Sequence, residues 1–145
     1  MLKVIENTFQ KKIQSKSTDL RFGLSNLVYL EITNTISSDI GDFFIDFNED
    51  SNEDADKKEQ SASRLEFLSL KRAGMNNEDL RKIIAMLEGA NLRGLDFEDN
   101  IIDDESIDHL IEYLIRRETP LAFLNLSKNK LSNKGVRDLI AVDRV

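Results

Sequence analysis

Residues 92–102 read LRGLDFEDNII, and the same spacing recurs as LEFLSLKRAGM at 65–75 and as LAFLNLSKNKL at 121–131. All three segments fit the pattern L-x-x-L-x-[LF]-x-x-[AN]-x-[MIL]. Alternation at its central positions is the two-residue period of a short strand whose apolar side chains point to one side. A unit of under about 30 residues cannot bury its apolar face alone, so the repetition predicts similar units stacked on one another.

An amphipathic helix is predicted after each of these strands. Apolar residues follow with the spacing of one helical face, first as Leu80, Ile83, Ile84 and Leu87, then as Ile107, Leu110, Ile111 and Leu114, and finally as Val136, Leu139 and Ile140. Asn76, Asp103 and Ser132 precede the three helices, where their side chains can accept hydrogen bonds from first-turn amides. The sequence therefore predicts an α/β fold of strand–turn–helix units, with a parallel sheet on one side and helices on the other.

Asparagines mark the ends of two predicted strands. Asn100 and Asn129 stand where a side-chain amide can satisfy backbone groups as the chain leaves the sheet, whereas the first unit has Ala73 there. With these residues, the repeated segments resemble the ribonuclease-inhibitor-like class of leucine-rich repeat proteins. The resemblance implies a short solenoid with a concave sheet and convex helices, which binds another protein on its concave face and carries out no catalysis.

The chain is expected to be a single domain, residues 1–145. Its expected parts are an N-terminal cap at 1–26, a degenerate first repeat at 27–47, an acidic flexible insertion at 48–63, and repeats at 64–91, 92–120 and 121–145. The cap is read as a helix through Leu2, Ile5, Phe9 and Ile13, or alternatively as a strand through Leu20 and Phe22. The insertion is polar and highly charged, with no apolar periodicity to bury.

Charge and composition narrow the choice of partners. The net charge is -7 and the pI is near 4.8, which disfavours nucleic acids and anionic membranes, because both are bound through clustered Lys and Arg. No signal peptide or transmembrane segment is evident, so a cytoplasmic protein, or one secreted into a host cell, is expected. The composition also resembles that of small leucine-rich repeat effectors that intracellular bacteria inject into host cells.

No chemistry of catalysis or cofactor binding is predicted. Residues 46–54 alternate oxygen-bearing side chains like the start of a calcium loop, but Ser51 replaces the required glycine and Lys57 the bidentate glutamate. The single histidine, His109, sits in a helical pattern with no predicted nucleophile or orienting group beside it. We therefore expect no catalytic residues, no metal and no cofactor.

The candidate binding surface consists of strand residues that alternate with the core leucines. Its predicted protein-binding residues are Tyr29, Phe67, Ser69, Lys71, Arg72, Asp96, Glu98, Asp99, Phe123, Asn125 and Lys128. Exposed aromatic residues beside an arginine often dominate the energy of protein interfaces. The alternative is that the rings pack under flanking segments. The opposite charges on neighbouring strands are expected to neutralise one another.

The sequence thus predicts a non-enzymatic module that binds a protein partner. The alternative is a structural or assembly protein, a homodimer rather than a monomer, that self-associates through the open C-terminal end of the stack. That contact would bury Val136, Leu139, Ile140, Val142 and Val145. An enzyme would require a catalytic domain outside these residues.

Overall fold

The structure is a computed structural model, and it describes residues 28–33, 65–88 and 90–142. Its elements are β1 (Tyr29–Thr33), β2 (Phe67–Lys71), α1 (Asn77–Met86), β3 (Gly94–Asp96), a 3-10 turn (Asp104–Ser106), α2 (Ile107–Arg116), β4 (Phe123–Asn125) and α3 (Asn133–Val142). The predicted α/β class is confirmed.

The described strands form one parallel sheet in the order β1-β2-β3-β4. Leu30 pairs with Leu68, Leu68 with Leu95, and Leu95 with Leu124. Equivalent residues of successive units therefore share one register, as the leucine spacing predicted. Two parallel strands can be joined only by a crossover connection. Helix α1 forms the crossover from β2 to β3, which is described except for residue 89, and α2 forms the crossover from β3 to β4.

The core lies between the sheet and the helices. Leu68, Leu95 and Phe97 have no exposed surface, and neither do the helix residues Leu80 and Leu110 that belong to the same cluster. Burying one such side chain contributes about 1.5–3 kcal/mol, so this layer is the main source of stability. The opposite side of the sheet, which bears no described helix, is called the open face below.

Asparagine side chains join the last two units to the units before them. Asn100 Oδ1 accepts hydrogen bonds from the Ala73 and Met75 amides at 3.0 Å, and Asn100 Nδ2 donates to the Leu70 carbonyl at 2.8 Å. Asn129 repeats this on the Ile102 amide at 3.1 Å. The predicted role of these asparagines is confirmed. Asn100 thus reaches back across the unit boundary to the Ala73 amide of the preceding unit.

The helix starts follow the predicted capping residues with one difference. The Asn76 side-chain oxygen accepts hydrogen bonds from the Glu78 and Asp79 amides. The Asp79 carboxylate in turn accepts one from the Asn76 amide, which completes a capping box. Ser132 Oγ accepts from the Lys134 amide at 3.1 Å. Asp103, however, caps the 3-10 turn that leads into α2 rather than α2 itself.

Several expectations lie outside the described residues. They are the N-terminal cap at 1–26, the helix expected within the degenerate repeat at 27–47, the insertion at 48–63 with its calcium-like pattern, and Val145. The division of the chain into these parts and repeats stays a prediction. Within the described ranges, none of the helices has the length and apolar character needed to cross a bilayer.

Candidate protein-binding face of the sheet

The open face is built from four transverse rows, because parallel strands in register bring equivalent residues side by side. The row nearest the strand starts holds Tyr29, Phe67, Gly94 and Phe123, and the next holds Glu31, Ser69, Asp96 and Asn125. A third row includes Lys71 and Glu98, and a rim at the strand ends carries Arg72, Asp99 and Lys128. The register thus brings the predicted binding residues onto one surface.

The aromatic residues pack against one another. The rings of Tyr29 and Phe67 are stacked with centroids 5.0 Å apart and planes 10° from parallel, and the rings of Phe67 and Phe123 lie 5.7 Å apart at 32°. Such pairs contribute about 0.5–1.5 kcal/mol beyond their buried area. Tyr29 and Phe67 are half-buried, whereas Phe123 is 43% exposed. Phe123 is therefore the ring of this row that is most available to a partner.

Gly94 makes this row continuous. It pairs with Phe67 on one side and Phe123 on the other, and it carries no side chain between them. A Cβ added at Gly94 would overlap two carbons of the Phe67 ring. The Phe67 ring occupies that space, so the absence of a side chain on β3 is what lets rings from β2 and β4 meet.

The expected neutralisation of charges on the open face is confirmed for Lys71, Glu98 and Lys128, but not for Arg72 and Asp99, which form no ion pair with another described residue. Lys71 Nζ lies 2.8 Å from an Asp96 carboxylate oxygen and 3.6 Å from one of Glu98, and Lys128 Nζ lies 2.6 Å from the other Glu98 oxygen. Asn125 Nδ2 donates to Asp96 at 3.0 Å. The hydrogen bond from Lys128 lowers the pKa of Glu98, and the hydrogen bond to Asp96 raises the pKa of Lys71. These groups form a closed network across three strands.

The rim residues have an unusual backbone conformation. Arg72, Asp99 and Lys128 have φ values of 49°, 60° and 58°, in the left-handed region that costs roughly 1–2 kcal/mol per residue other than glycine. All three are exposed. Each lies at the equivalent position of its unit, just before the chain turns toward the helix. The repeated conformation directs a row of charged side chains along the edge of the open face.

Not every predicted site residue can contact a partner. Ser69 is 1% exposed and Asp96 is 4% exposed, so these two form the floor of the face. Phe123, Arg72, Asp99 and Lys128 are exposed, and the other predicted residues are half-buried. Burial depends on how neighbouring side chains lean over the strands, which strand alternation does not specify.

Sequence reasoning missed an ion pair at the start of the strands. Arg93 lies 3.9 Å from Glu66, and its carbonyl accepts hydrogen bonds from the Ala122 and Phe123 amides. Both side chains are well exposed, Arg93 at 72% and Glu66 at 50%. The 27-residue offset between them, the same as between Leu65 and Leu92, was a signal that could have found the pair.

The described residues contain no group of three His, Asp or Glu side chains placed to hold a metal ion. His109 is exposed on α2. A cleft of about 600 Å³ lies beside the end of α2, where the Arg117 guanidinium sits 5.1 Å from the centre of the Tyr113 ring and donates to the Leu92 carbonyl. The Arg117 side chain thereby links the end of α2 to the segment that leads into β3.

Comparison with known proteins identifies the fold. No family model matches the sequence, and no curated protein matches it. Among solved structures, a tropomodulin C-terminal domain from Caenorhabditis elegans has a TM-score of 0.64 at 18% identity, over 90% of this chain and 74% of that one. The leiomodin-1 domain described as Actin-Binding Site 2 has a TM-score of 0.62 at 13% identity, over 95% of this chain and 73% of that one.

These matches correct the family expected from the sequence. The expected membership of the ribonuclease-inhibitor-like class of leucine-rich repeat proteins is wrong, because the two matching structures named above are tropomodulin and leiomodin domains. The expected solenoid of leucine-rich repeats is likewise not supported. The leucine spacing indicates a short strand that packs its apolar side against a helix. More than one protein family has units that must bury apolar side chains in this way. At these identities the likeness establishes the fold: an α/β domain with the parallel sheet and helices described above.

Proposed function

We propose that this chain is a non-enzymatic module that binds a protein partner on the open face of its sheet. The observation that carries the proposal is the exposed Phe123 ring at the end of an ordered aromatic row, on the same face as the exposed Arg72. Aromatic and arginine side chains are the types that contribute most to protein interfaces. The packed row holds Phe123 in place before binding, which lowers the entropy lost on association.

The charge network supports the same use of the surface. Lys71, Asp96 and Glu98 already satisfy one another, so a partner need not strip water from isolated charges in the middle of the face. Arg72 and Asp99 form no ion pair with another described residue, and they lie at the rim, where charged contacts mainly set orientation and association rate. An apolar contact at Phe123 bordered by polar groups has the usual anatomy of an interface.

Actin is the first partner to test. The leiomodin-1 domain with the same fold is described as an actin-binding site, and the present chain covers 73% of it. This reasoning rests on a shared fold at 13% identity, so actin is proposed for this chain and the binding face is argued separately from its own residues. The bacterial-effector setting expected from composition stays a prediction.

The test compares two substitutions on the open face with one elsewhere. Phe67→Ala would damage the aromatic row and cost stability, so the informative variant is Phe123→Ala combined with Arg72→Ala. Ile115→Ala is the matched control, because Ile115 is 60% exposed on α2. Binding is measured by titration calorimetry with monomeric actin and by cosedimentation with filaments, and melting temperatures confirm folding.

The expected result is at least a tenfold weaker complex for the double variant, since two interface side chains of this kind contribute about 2 kcal/mol or more together. The control should bind like the unchanged protein. Equal binding by the double variant would place the site elsewhere. Failure of the unchanged protein to bind either form would remove actin as the partner.

A further inference from the structure

The cleft beside the end of α2 is separate from the open face. It is formed by residues at and just after the ends of α1 and α2, has a volume of about 600 Å³, and includes none of the residues of the open face. Its lining includes Leu87 and Tyr113, which are 2% and 3% exposed. Cavities of about 300–1,000 Å³ are the usual size of sites for small ligands. The cleft is therefore large enough to hold one.

Arg117 brings an unpaired positive charge to this cleft. Its guanidinium donates hydrogen bonds to three neutral oxygens, namely the Tyr113 hydroxyl, the Leu92 carbonyl and, at 3.0 Å, the Thr119 carbonyl. Arg117 forms no ion pair with another residue of the described ranges 28–33, 65–88 and 90–142, and its side chain is half-buried. Because a partly buried charge is screened less by water and salt than an exposed one, Arg117 favours an anion in the cleft.

The hydrogen-bond donors of Arg117 are not all used. The three bonds take the Nε–H and one N–H on each terminal nitrogen, so each terminal nitrogen keeps a second N–H. A carboxylate can accept two parallel bonds from the two terminal nitrogens of a guanidinium. Arg117 therefore retains the donors that a carboxylate needs.

Other side chains add to the surplus of donors. The Tyr113 hydroxyl accepts a bond from Arg117 and donates none to a described residue. Burial raises the pKa of Tyr113, so this hydroxyl keeps its proton at neutral pH. Asn91 Oδ1 accepts from the Thr119 hydroxyl at 3.2 Å, which leaves the Asn91 amide nitrogen as a further donor. A group that only accepts hydrogen bonds, such as an oxyanion, complements this set.

The remaining charges of the cleft favour a singly charged ligand. Besides Arg117, its charged lining residues are Glu88, Arg116 and Glu118. Arg116 lies 3.2 Å from Glu88, so this pair neutralises itself, and Glu118 is exposed. The C-terminal ends of α1 and α2 add partial negative charge. A doubly charged phosphate would be repelled by these groups more strongly than a single carboxylate.

We propose that the cleft binds the carboxylate of a small organic acid or of a peptide C-terminus. Arg117 and Tyr113 hold the carboxylate, and Leu87 and Ala90 provide apolar surface for a short aliphatic group. The bonds that Arg117 makes within the protein fix its guanidinium before binding, which lowers the entropy lost when a ligand is held. The site does not depend on the open face or on its partner.

The test is a titration of the full chain followed by the amide shifts of the cleft residues in proton–nitrogen correlation spectra. The probes are isovalerate, a free acid, and acetyl-leucine, which resembles a peptide C-terminus. Each should cause saturable shifts with a dissociation constant of roughly 1–10 mM, as expected for ligands of this size. Tighter binding of acetyl-leucine would identify the peptide terminus as the source of the carboxylate, and tighter binding of isovalerate the free acid.

Two further probes test the charge. Acetyl-leucine amide, which lacks the carboxylate, should bind at least tenfold more weakly than acetyl-leucine, and inorganic phosphate should not saturate the shifts. Absence of saturation with both acids would overturn the proposal. Equal binding of the amide, or tighter binding of phosphate, would overturn the carboxylate as the ligand.

Substitutions then assign the contact. Arg117→Lys keeps a cation but loses the paired N–H groups, so it should weaken acetyl-leucine binding at least tenfold. Arg116→Lys is the matched control and should bind as the unchanged protein does. Tyr113→Phe keeps the ring and removes one donor, so it should weaken binding several-fold even if Arg117→Lys disturbs folding, which the spectra also report. Unchanged binding by Tyr113→Phe, or equal losses with Arg116→Lys and Arg117→Lys, would refute the assigned contacts.

Discussion

Replacing Asn100 with alanine tests how the units are joined. Asn100 is 5% exposed, and its side chain is hydrogen-bonded to the amides of Ala73 and Met75 and to the carbonyls of Leu70 and Phe97, at 2.8 to 3.0 Å. Alanine leaves two buried amide donors without an acceptor. Each unsatisfied donor costs about 1–3 kcal/mol, so we expect a loss of about 3–5 kcal/mol from the free energy of unfolding. That is a large share of the ~5–15 kcal/mol typical of a domain.

Asn129→Ala is the matched control. Asn129 is half-buried and accepts one inter-unit amide bond, from Ile102, so water can replace part of what is lost. We expect about 1–2 kcal/mol for this variant. Urea denaturation followed by circular dichroism gives both values from the midpoint and slope. If Asn100→Ala costs under about 1 kcal/mol, or no more than Asn129→Ala, the asparagine does not join the units as described.

Two further outcomes follow from the open face. Gly94→Ala would displace the Phe67 ring from its position over Gly94, and the overpacking should lower the free energy of unfolding by about 1–3 kcal/mol. Near-ultraviolet circular dichroism should then show a weaker aromatic signal. An unchanged spectrum and an unchanged stability would contradict the close approach of the ring to Gly94. The pKa of Glu98 is lower in the folded protein than in the unfolded chain. Its ion pairs therefore stabilise the fold fully above the pKa of the unfolded chain, and this stabilisation is lost as the pH falls through the pKa of the folded protein. The melting temperature should accordingly decrease below about pH 4.5. Glu98→Gln should flatten that decline in calorimetric scans, and an identical pH profile for both proteins would contradict it.

The two asparagines and the glycine show where sequence reasoning succeeded and where it stopped. The strand ends at Asn100 and Asn129 were predictable because a polar amide at a fixed distance from a strand has few other uses in a buried turn. That Asn100 serves Ala73 in the preceding unit was not predictable, since the spacing gives positions along the chain and not the neighbour across it. Only the coordinates show that the Phe67 ring fills the space that Gly94 leaves without a side chain.

The family expectation failed for a related reason. The pattern at 92–102 reports which side chains point into the core, and that requirement is common to units in which a short parallel strand is followed by a helix. That shared requirement does not by itself decide the family to which a chain with such units belongs. The likeness to tropomodulin and leiomodin domains emerged from the coordinates.

The sequence by itself determined the strand and helix positions, the parallel register of Leu68, Leu95 and Leu124, and the residues that share the open face, because side-chain periodicity fixes which way each residue points. Only the tertiary structure decided that Tyr29 and Phe67 stack while Phe123 stays exposed, and that Ser69 and Asp96 lie buried beneath the surface they were expected to form. Exposure is set by neighbours on adjacent strands, and those neighbours are known only once the chain has folded.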